Sequence, residues 1–400
     1  MQHFKVAIVG AGPAGSAAAL YLKKEGIDCA LIDKACFPRD KACGDGIPMK
    51  TVHLLEELGF SEREIFARGY KIKGMAVYSP LGDKTQIGGV DEADTKSGCI
   101  PRIDFDNLLF QKARAAAKQS FCGFRLKNMQ RRDGRWHLSL YNSREKERLD
   151  ISADVLIGAD GAHSVVARQA GLLQEDRVHS FDGLRRYYSG GPFEPVVHII
   201  YDRRLLPGYL WIFPVSEQRV NVGLMTLRKK GQNLQIILED VLKNNARVKE
   251  ILGEARAEGP ARGALLPLGS IPGERISDGL LLTGDAAAFI NPVTGGGIYT
   301  AILSAREASR VVSRALPAGR TQKENLKDYE YWWRKEILPG FEYGARLKKR
   351  LQSERFAAWF LRKASRNRLY RNFFFLLYGR SLPRRTLLNP LFWVKVILAR

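Results

Sequence analysis

The chain has 400 residues, 45 % hydrophobic and 26 % charged, with a formal net charge of +22 at pH 7. This is enough chain for two domains and a large core, and it excludes an intrinsically disordered polymer. Residues 341–400 hold 15 Lys/Arg against two acids, so more than half of the surplus lies there, and anionic partners are favoured.

Cys29, Cys36, Cys43, Cys99 and Cys122 are odd in number and show no C-x-x-C spacing, and the six histidines show no metal spacing. A disulfide framework or a metal site is therefore not expected, and a reducing, cytoplasmic setting fits. Residues 6–9 are too short for a secretory apolar region, and no run of ~18 apolar residues could span a bilayer.

In chain order, residues 5–9 predict a short buried strand. Gly10-Ala11-Gly12-Pro13-Ala14-Gly15 follows, then an Ala/Leu-rich helix over 16–25 that stops before Gly26, and a second strand over 28–32 that ends at Asp33. Strand, GxGxxG, helix, strand and acid form the dinucleotide fingerprint in its required context. Gly10 permits the tight turn, Gly12 lets backbone N–H groups approach a pyrophosphate, and Gly15 lets helix and strand pack closely. Ala14 inside the turn and Lys34 after the acid join this set. Asp33, 18 residues after Gly15, can accept hydrogen bonds from an adenosine ribose. The unit leaves FAD and NAD equally open.

The loop 37–46 reads FPRDKACGDG and carries Arg39, Lys41, Cys43 and Gly44; Arg102 opens a later helix. Residues 154–168, DVLIGADGAHSVVAR, read as a strand ending in Ala-Asp-Gly, where Asp160 is locally a turn residue. Strands over 196–201, 209–215 and 219–225 follow one another without helices, which predicts an antiparallel sheet. Tyr209, Trp211 and Phe213 alternate and share one face, by itself a core pattern. Residues 280–298, LLLTGDAAAFINPVTGGGI, predict a strand over 279–283 ending at Gly284-Asp285. A turn of Pro292, Gly295, Gly296 and Gly297 then leads into a helix from Ile298 to Arg314. The positive end of that helix suits an anionic group.

Residues 322–400 read as helical, cationic and aromatic. Lys348-Lys349-Arg350, Arg362-Lys363, Arg366, Arg368, Arg371 and Arg384-Arg385 alternate with Phe356, Trp359, Phe360, Phe373, Phe374, Phe375, Phe392 and Trp393. Such helices lie on an anionic membrane surface, or cap the body with their aromatics inward. No nucleic-acid module is visible, so that partner is not expected.

Segments 37–46, 154–168 and 280–298 resemble the geranylgeranyl reductase family of FAD-dependent oxidoreductases, within the flavoprotein hydroxylase superfamily; the resemblance covers about residues 1–315. It implies bound FAD, with Arg39, Arg102 and Asp160 beside the cofactor and Asp285 on its ribityl chain. It implies that the Ile298 helix faces the flavin pyrimidine, and that Cys43 lies near the ring as proton donor or wall. YLWIFP resembles the YxWxFP element lining the family's substrate cavity, which makes Tyr209 and Trp211 site residues with Cys43. The implied fold is α/β (α+β overall). A discontinuous Rossmann-like FAD domain takes 1–75, 100–170 and 270–320. A smaller, mostly antiparallel substrate domain takes 76–99 and 171–269, followed by the helical region 321–400.

The implied activity is hydrogenation of carbon–carbon double bonds in an isoprenoid lipid at a cytoplasmic membrane surface, with electrons from NADPH, NADH or ferredoxin. A monooxygenase, hydroxylating or halogenating an aromatic or polyene substrate, is the alternative. The halogenase WxWxIP element is not matched, since Tyr209 and Phe213 occupy its first and fifth positions. A non-catalytic, flavin-stabilised membrane-binding protein is the third.

Overall fold

The computed structural model describes residues 1–88, 96–174 and 176–366. Two sheets organise it. The first runs Ile276–Ser277, Leu280–Leu282, Glu147–Gly158, Gln2–Val9, Cys29–Asp33, Gln119–Cys122. Its inner pairings are parallel, and the strands Cys29–Asp33 and Leu280–Leu282 are buried at every position, as a sheet covered on both faces requires. A hairpin, Phe124–Arg132 and Arg135–Asn142, extends it antiparallel from Glu147–Gly158. The Pro13–Lys24 helix packs between the Arg102–Ala116 and Ile298–Ala315 helices over this sheet.

The second sheet runs Arg256–Pro267, Ser180–Ser189, Arg219–Leu227, Tyr209–Ser216, Val196–Ile200, Gly74–Tyr78, Lys84–Gly88. It is antiparallel except where Val196–Ile200 pairs in parallel with Gly74–Tyr78. That exception to the expected pattern has a topological reason. More than a hundred residues separate the two strands, so the connection is long enough for a crossover. Alternation divides the Tyr209–Ser216 strand. Leu210 and Ile212 pack with Leu238, Val241 and Val248 of the helices Leu234–Asn244 and Ala246–Leu252. Tyr209 and Trp211 face the opposite way, into a cluster with Leu347, Leu351, Phe360 and Leu361.

Several boundaries differ from expectation. The first helix starts at Pro13 rather than 16, because proline at the first helical position lacks only an N–H that would be unpaired anyway. The last strand of the first sheet spans Leu280–Leu282, and Gly284–Ala287 forms a 3-10 turn, so Asp285 sits on that turn instead of ending the strand. The C-terminal region forms the helices Lys323–Glu336, Leu338–Leu351 and Glu354–Arg366. Two members of the basic–aromatic run face inward. Lys348 is buried, donates to the Val178 carbonyl at 3.2 Å and lies 5.6 Å from the Phe181 ring. Phe360 is a core residue of the second sheet. Lys349, Arg350, Arg355 and Trp359 remain exposed. Arg368, Arg371, Phe373, Phe374, Phe375, Arg384, Arg385, Phe392 and Trp393 lie outside the described residues. Among those described, no helix is long and apolar enough to cross a membrane.

Candidate active site

The glycine turn follows Gln2–Val9 directly. Gly10 has φ +102°, and a Cβ there would lie 2.2 Å from the Ala159 carbonyl oxygen, so the position admits glycine alone. A Cβ on Gly15 would lie 1.7 Å from the Gly10 carbonyl oxygen, which is the close helix–strand approach expected. Gly12 faces open space bounded by Arg39 Nη2, 3.4 Å from where its Cβ would be. Asp33 is buried and holds the turn: Oδ2 accepts from the Ala11 N–H at 2.7 Å and Oδ1 from the Ala35 N–H at 2.8 Å. Each oxygen keeps a lone pair for a ribose hydroxyl. Ala14 abuts Gly284 of the second glycine segment, and Lys34 is exposed beside the turn.

Arg39 and Arg102 meet at a carboxylate that sequence reasoning missed. Asp106, fully buried, accepts from Arg102 Nε at 2.6 Å, Arg102 Nη2 at 2.7 Å and Arg39 Nη1 at 2.6 Å. Burial opposes ionisation of Asp106, but the charge and hydrogen bonds of Arg102, with Arg39 and Lys41 beyond, outweigh it and hold the carboxyl below its usual range. The four-residue spacing from Arg102 to Asp106 on a helix was the available signal. Arg102 also interacts electrostatically with the Cys43 side chain. Burial works against its charge, while Asp106 and Cys43 hold its proton more tightly than usual.

Cys43 is half-buried and its loop is pressed against the aromatic row. A Cβ on Gly44 would meet Trp211 Nε1 at 3.3 Å and the Phe213 ring at 3.4 Å. Ring centroids of Tyr209, Trp211 and Phe213 follow at 6.4 Å intervals. The Tyr209 hydroxyl donates to the Thr294 carbonyl at 2.6 Å, and burial pushes its pKa well up, so its proton is already engaged. Behind the loop, Asp45 is fully buried and accepts from the Tyr187 hydroxyl and Asn221 Nδ2, each at 2.6 Å. Burial pushes its carboxyl up to about 6 against those hydrogen bonds. Asn221, the polar interruption of an otherwise apolar stretch VNVGLM, carried a sequence signal; Tyr187 carried none.

The second segment closes the site. Asp285 Oδ2 pairs with Lys41 Nζ at 3.0 Å, joining loops 244 residues apart. A Cβ on Gly297 would lie 3.1 Å from Asp285 Oδ1. Gly295 has φ +64° and presses on Met225, while Gly296 accepts at its carbonyl from the Asn291 N–H at 3.0 Å. Pro292 is buried against Gly344. The helix beginning at Ile298 has no side-chain cap and no acid in its first turn, so its N-terminal dipole is available to an anion. Asp160 follows the strand Glu147–Gly158 and meets the glycine turn. Its backbone lies against Gly10, but its carboxylate caps the Val165–Gln169 helix, accepting from Val165 N at 2.6 Å, Val166 N at 3.2 Å and the Ser164 hydroxyl.

A side-chain-free cradle at Gly10, Gly12 and Gly15, cations at its rim, and an uncapped helix start beside Asp285 are the features FAD needs, and these residues fit it. The chemistry such a cofactor brings is two-electron transfer.

Comparison with known proteins agrees. Residues 3–332 match the model of the FAD binding domain family. A digeranylgeranylglycerophospholipid reductase of Methanopyrus kandleri is 30 % identical over 356 residues, covering 87 % of this chain and 86 % of the relative. A menaquinone reductase of Mycobacterium tuberculosis is 29 % identical over 322 residues, covering 77 % and 76 %. Among solved structures, a geranylgeranyl bacteriochlorophyll reductase-like protein from Thermoplasma acidophilum superposes with a TM-score of 0.81 at 24 % identity over 92 % of each chain. A flavin-dependent brominase gives 0.79 at 19 % identity over 95 % and 94 %. At these identities the two structures establish the fold.

Proposed function

The chain belongs to the geranylgeranyl reductase family of FAD-dependent oxidoreductases, and on that premise we propose that it hydrogenates carbon–carbon double bonds of an isoprenoid lipid. Family membership sets aside the non-catalytic reading. The observation that carries the proposal is the aromatic row Tyr209, Trp211 and Phe213, whose Trp211 and Phe213 rings lie against Gly44 of the Cys43 loop. An apolar, aromatic wall beside the cofactor loop suits a polyene, which offers no polar handles and is bound by shape and burial.

FAD, when bound and reduced, would supply the hydride. The chain's part is to orient the alkene, exclude water and move one proton. Cys43 Sγ is the better proton donor, because the Tyr209 proton is engaged with the Thr294 carbonyl. Arg102, within electrostatic reach of Cys43 and already balanced by Asp106, stands where it offsets the charge left on sulfur. The uncapped start of the Ile298–Ala315 helix and Lys41 would oppose negative charge on a reduced cofactor held there. Electrons arrive from NADPH, NADH or a ferredoxin. The exposed cluster Lys349, Arg350, Arg355 and Trp359, with the basic residues that follow, supports docking on an anionic membrane where such a lipid resides.

The test is anaerobic. The purified holoprotein is reduced with dithionite, mixed with geranylgeranyl lipid or menaquinone, and followed by flavin absorbance and lipid mass spectrometry. Reoxidation with a gain of about two mass units per turnover, one added H2, supports the reductase. A flavin that stays reduced until oxygen enters, followed by oxygen or halogen incorporation into an added aromatic or polyene, overturns it in favour of the monooxygenase.

A further inference from the structure

Asn221 has a workload unlike its neighbours. It is fully buried in the Arg219–Leu227 strand, and each hydrogen bond leads to a different partner. Oδ1 accepts from Trp211 Nε1 at 2.9 Å, while Nδ2 donates to the Cys43 carbonyl at 2.8 Å and to Asp45 Oδ2 at 2.6 Å. The amide has one workable orientation, because an N–H faces its oxygen and two acceptors face its nitrogen. Asp45 extends the chain: Oδ2 also takes the Tyr187 hydroxyl, and Oδ1 takes the Arg102 backbone N–H at 3.2 Å. Asp45 sits at φ +66°, a conformation that a non-glycine residue keeps only when its surroundings hold it. The Cys43 loop is thus keyed to three strands of the second sheet and to the Arg102–Ala116 helix through a single buried network.

We propose that Asn221 and Asp45 are positioning residues that fix the gap between Cys43 and Trp211, and so determine which double bond of a bound prenyl chain is reduced. This rests on the reductase reading above. Neither residue touches the reacting carbons. Both set where the wall and the proton donor stand relative to each other, and Gly44, already tight against Trp211 and Phe213, leaves that gap no slack.

The lock is also sensitive to protonation. Tyr187 and Arg185 face Asp45 from the Ser180–Ser189 strand, Arg102 from its helix, Cys99 from the Gly98–Cys99 strand and Cys43 from the loop. Oδ2 accepts twice and Oδ1 once, so a proton added to Asp45 takes up the one acceptor position these hydrogen bonds leave and removes the charge at the centre of the network.

The experiment compares wild type with Tyr187→Phe, Trp211→Phe, Asn221→Leu and Asp45→Asn as FAD-loaded proteins. Tyr187→Phe removes one hydrogen bond and keeps the ring, and Trp211→Phe removes another while keeping a smaller aromatic side chain in the row, so both report even if Asn221→Leu does not fold. With geranylgeranyl lipid, the ratio of partly to fully reduced product is expected to shift about two- to tenfold, the reach of one buried hydrogen bond, with FAD affinity unchanged. A packing role alone would lower thermal stability without moving that ratio. Independently of turnover, the visible spectrum of bound FAD should show a step near pH 6 that moves upward in Tyr187→Phe and vanishes in Asp45→Asn. An unmoved product ratio in both conservative variants, or a wild-type spectrum flat between pH 5 and 7, overturns the proposal. If wild type reduces no prenyl lipid, the reductase reading fails, while the spectral titration still decides for or against the lock.

Discussion

Replacing Asp106 with asparagine should be among the most damaging single changes in the chain. Asp106 is fully buried and accepts three charged hydrogen bonds of 2.6, 2.7 and 2.6 Å from Arg102 and Arg39. Arg102 is itself 4 % exposed, so asparagine would leave a buried guanidinium without a counter-charge. Breaking one partner out of a buried pair costs ~3–5 kcal/mol. Unfolding entropy of ~2.1 cal/mol/K per residue over a chain of 400 residues converts this to a fall in Tm of about 4–6 °C. Differential scanning calorimetry on the FAD-free protein measures it. Arg68→Ala is the control: Arg68 also pairs with an acid of the same helix, Asp104 at 3.0 Å, but is 77 % exposed, and its loss should move Tm by less than about 1 °C. An Asp106→Asn protein within a degree of wild type would refute the view that this carboxylate organises both arginines.

Three further outcomes are expected. Because the folded state raises the Asp45 pKa to about 6, it holds that proton more tightly than the unfolded chain between about pH 4 and 6. This group's contribution to stability therefore falls by ~3 kcal/mol as pH rises through that window and is constant above it. In urea denaturation, wild type should gain on Asp45→Asn as pH drops from 6 to 4.5, and an equal difference at pH 4.5 and 7.5 contradicts this. Tyr209→Phe should retain turnover to within about tenfold, whereas Cys43→Ala should lose ~10²-fold or more in steady-state lipid reduction, as removal of a proton donor does; the opposite ranking makes Tyr209 the acid. Lys349→Glu with Arg350→Glu should weaken co-sedimentation with anionic vesicles by roughly 2 kcal/mol or more. Lys348→Met should leave sedimentation unchanged, since its ammonium is already turned inward to the Val178 carbonyl.

What the amino-acid order displayed well was whatever is decided locally. The two glycine turns are recognisable because the backbone itself demands glycine at Gly10 and Gly295, which have positive φ, and at Gly15, where a Cβ would strike the Gly10 carbonyl. The alternation of Tyr209, Trp211 and Phe213 was equally plain, since a strand's period of two needs no tertiary information. Partners assigned by the fold were not plain. Lys41 and Asp285 lie 244 residues apart, and nothing near either one announces the other. Nothing in the motif around Asp160 announced that its carboxylate would cap the next helix. Lys348 looked like its neighbours Lys349 and Arg350, and only the packing of Leu338–Leu351 on the second sheet separates an inward from an outward cation.

The order of strands in the first sheet also dictates a timetable. Gln2–Val9 leaves the ribosome before both of its neighbours in the sheet, Cys29–Asp33 and Glu147–Gly158, between which it lies. The helix that completes the cofactor cradle starts only at Ile298. At about 5–20 residues per second, the gap from Gly10 to Ile298 is roughly 15–60 s of translation. For the first half of that time the nascent chain carries an apolar strand with one edge open, and for nearly all of it the cradle cannot close around FAD. Recovery of folded protein should therefore depend on growth temperature and chaperone supply during synthesis, and additional flavin cannot shorten the wait.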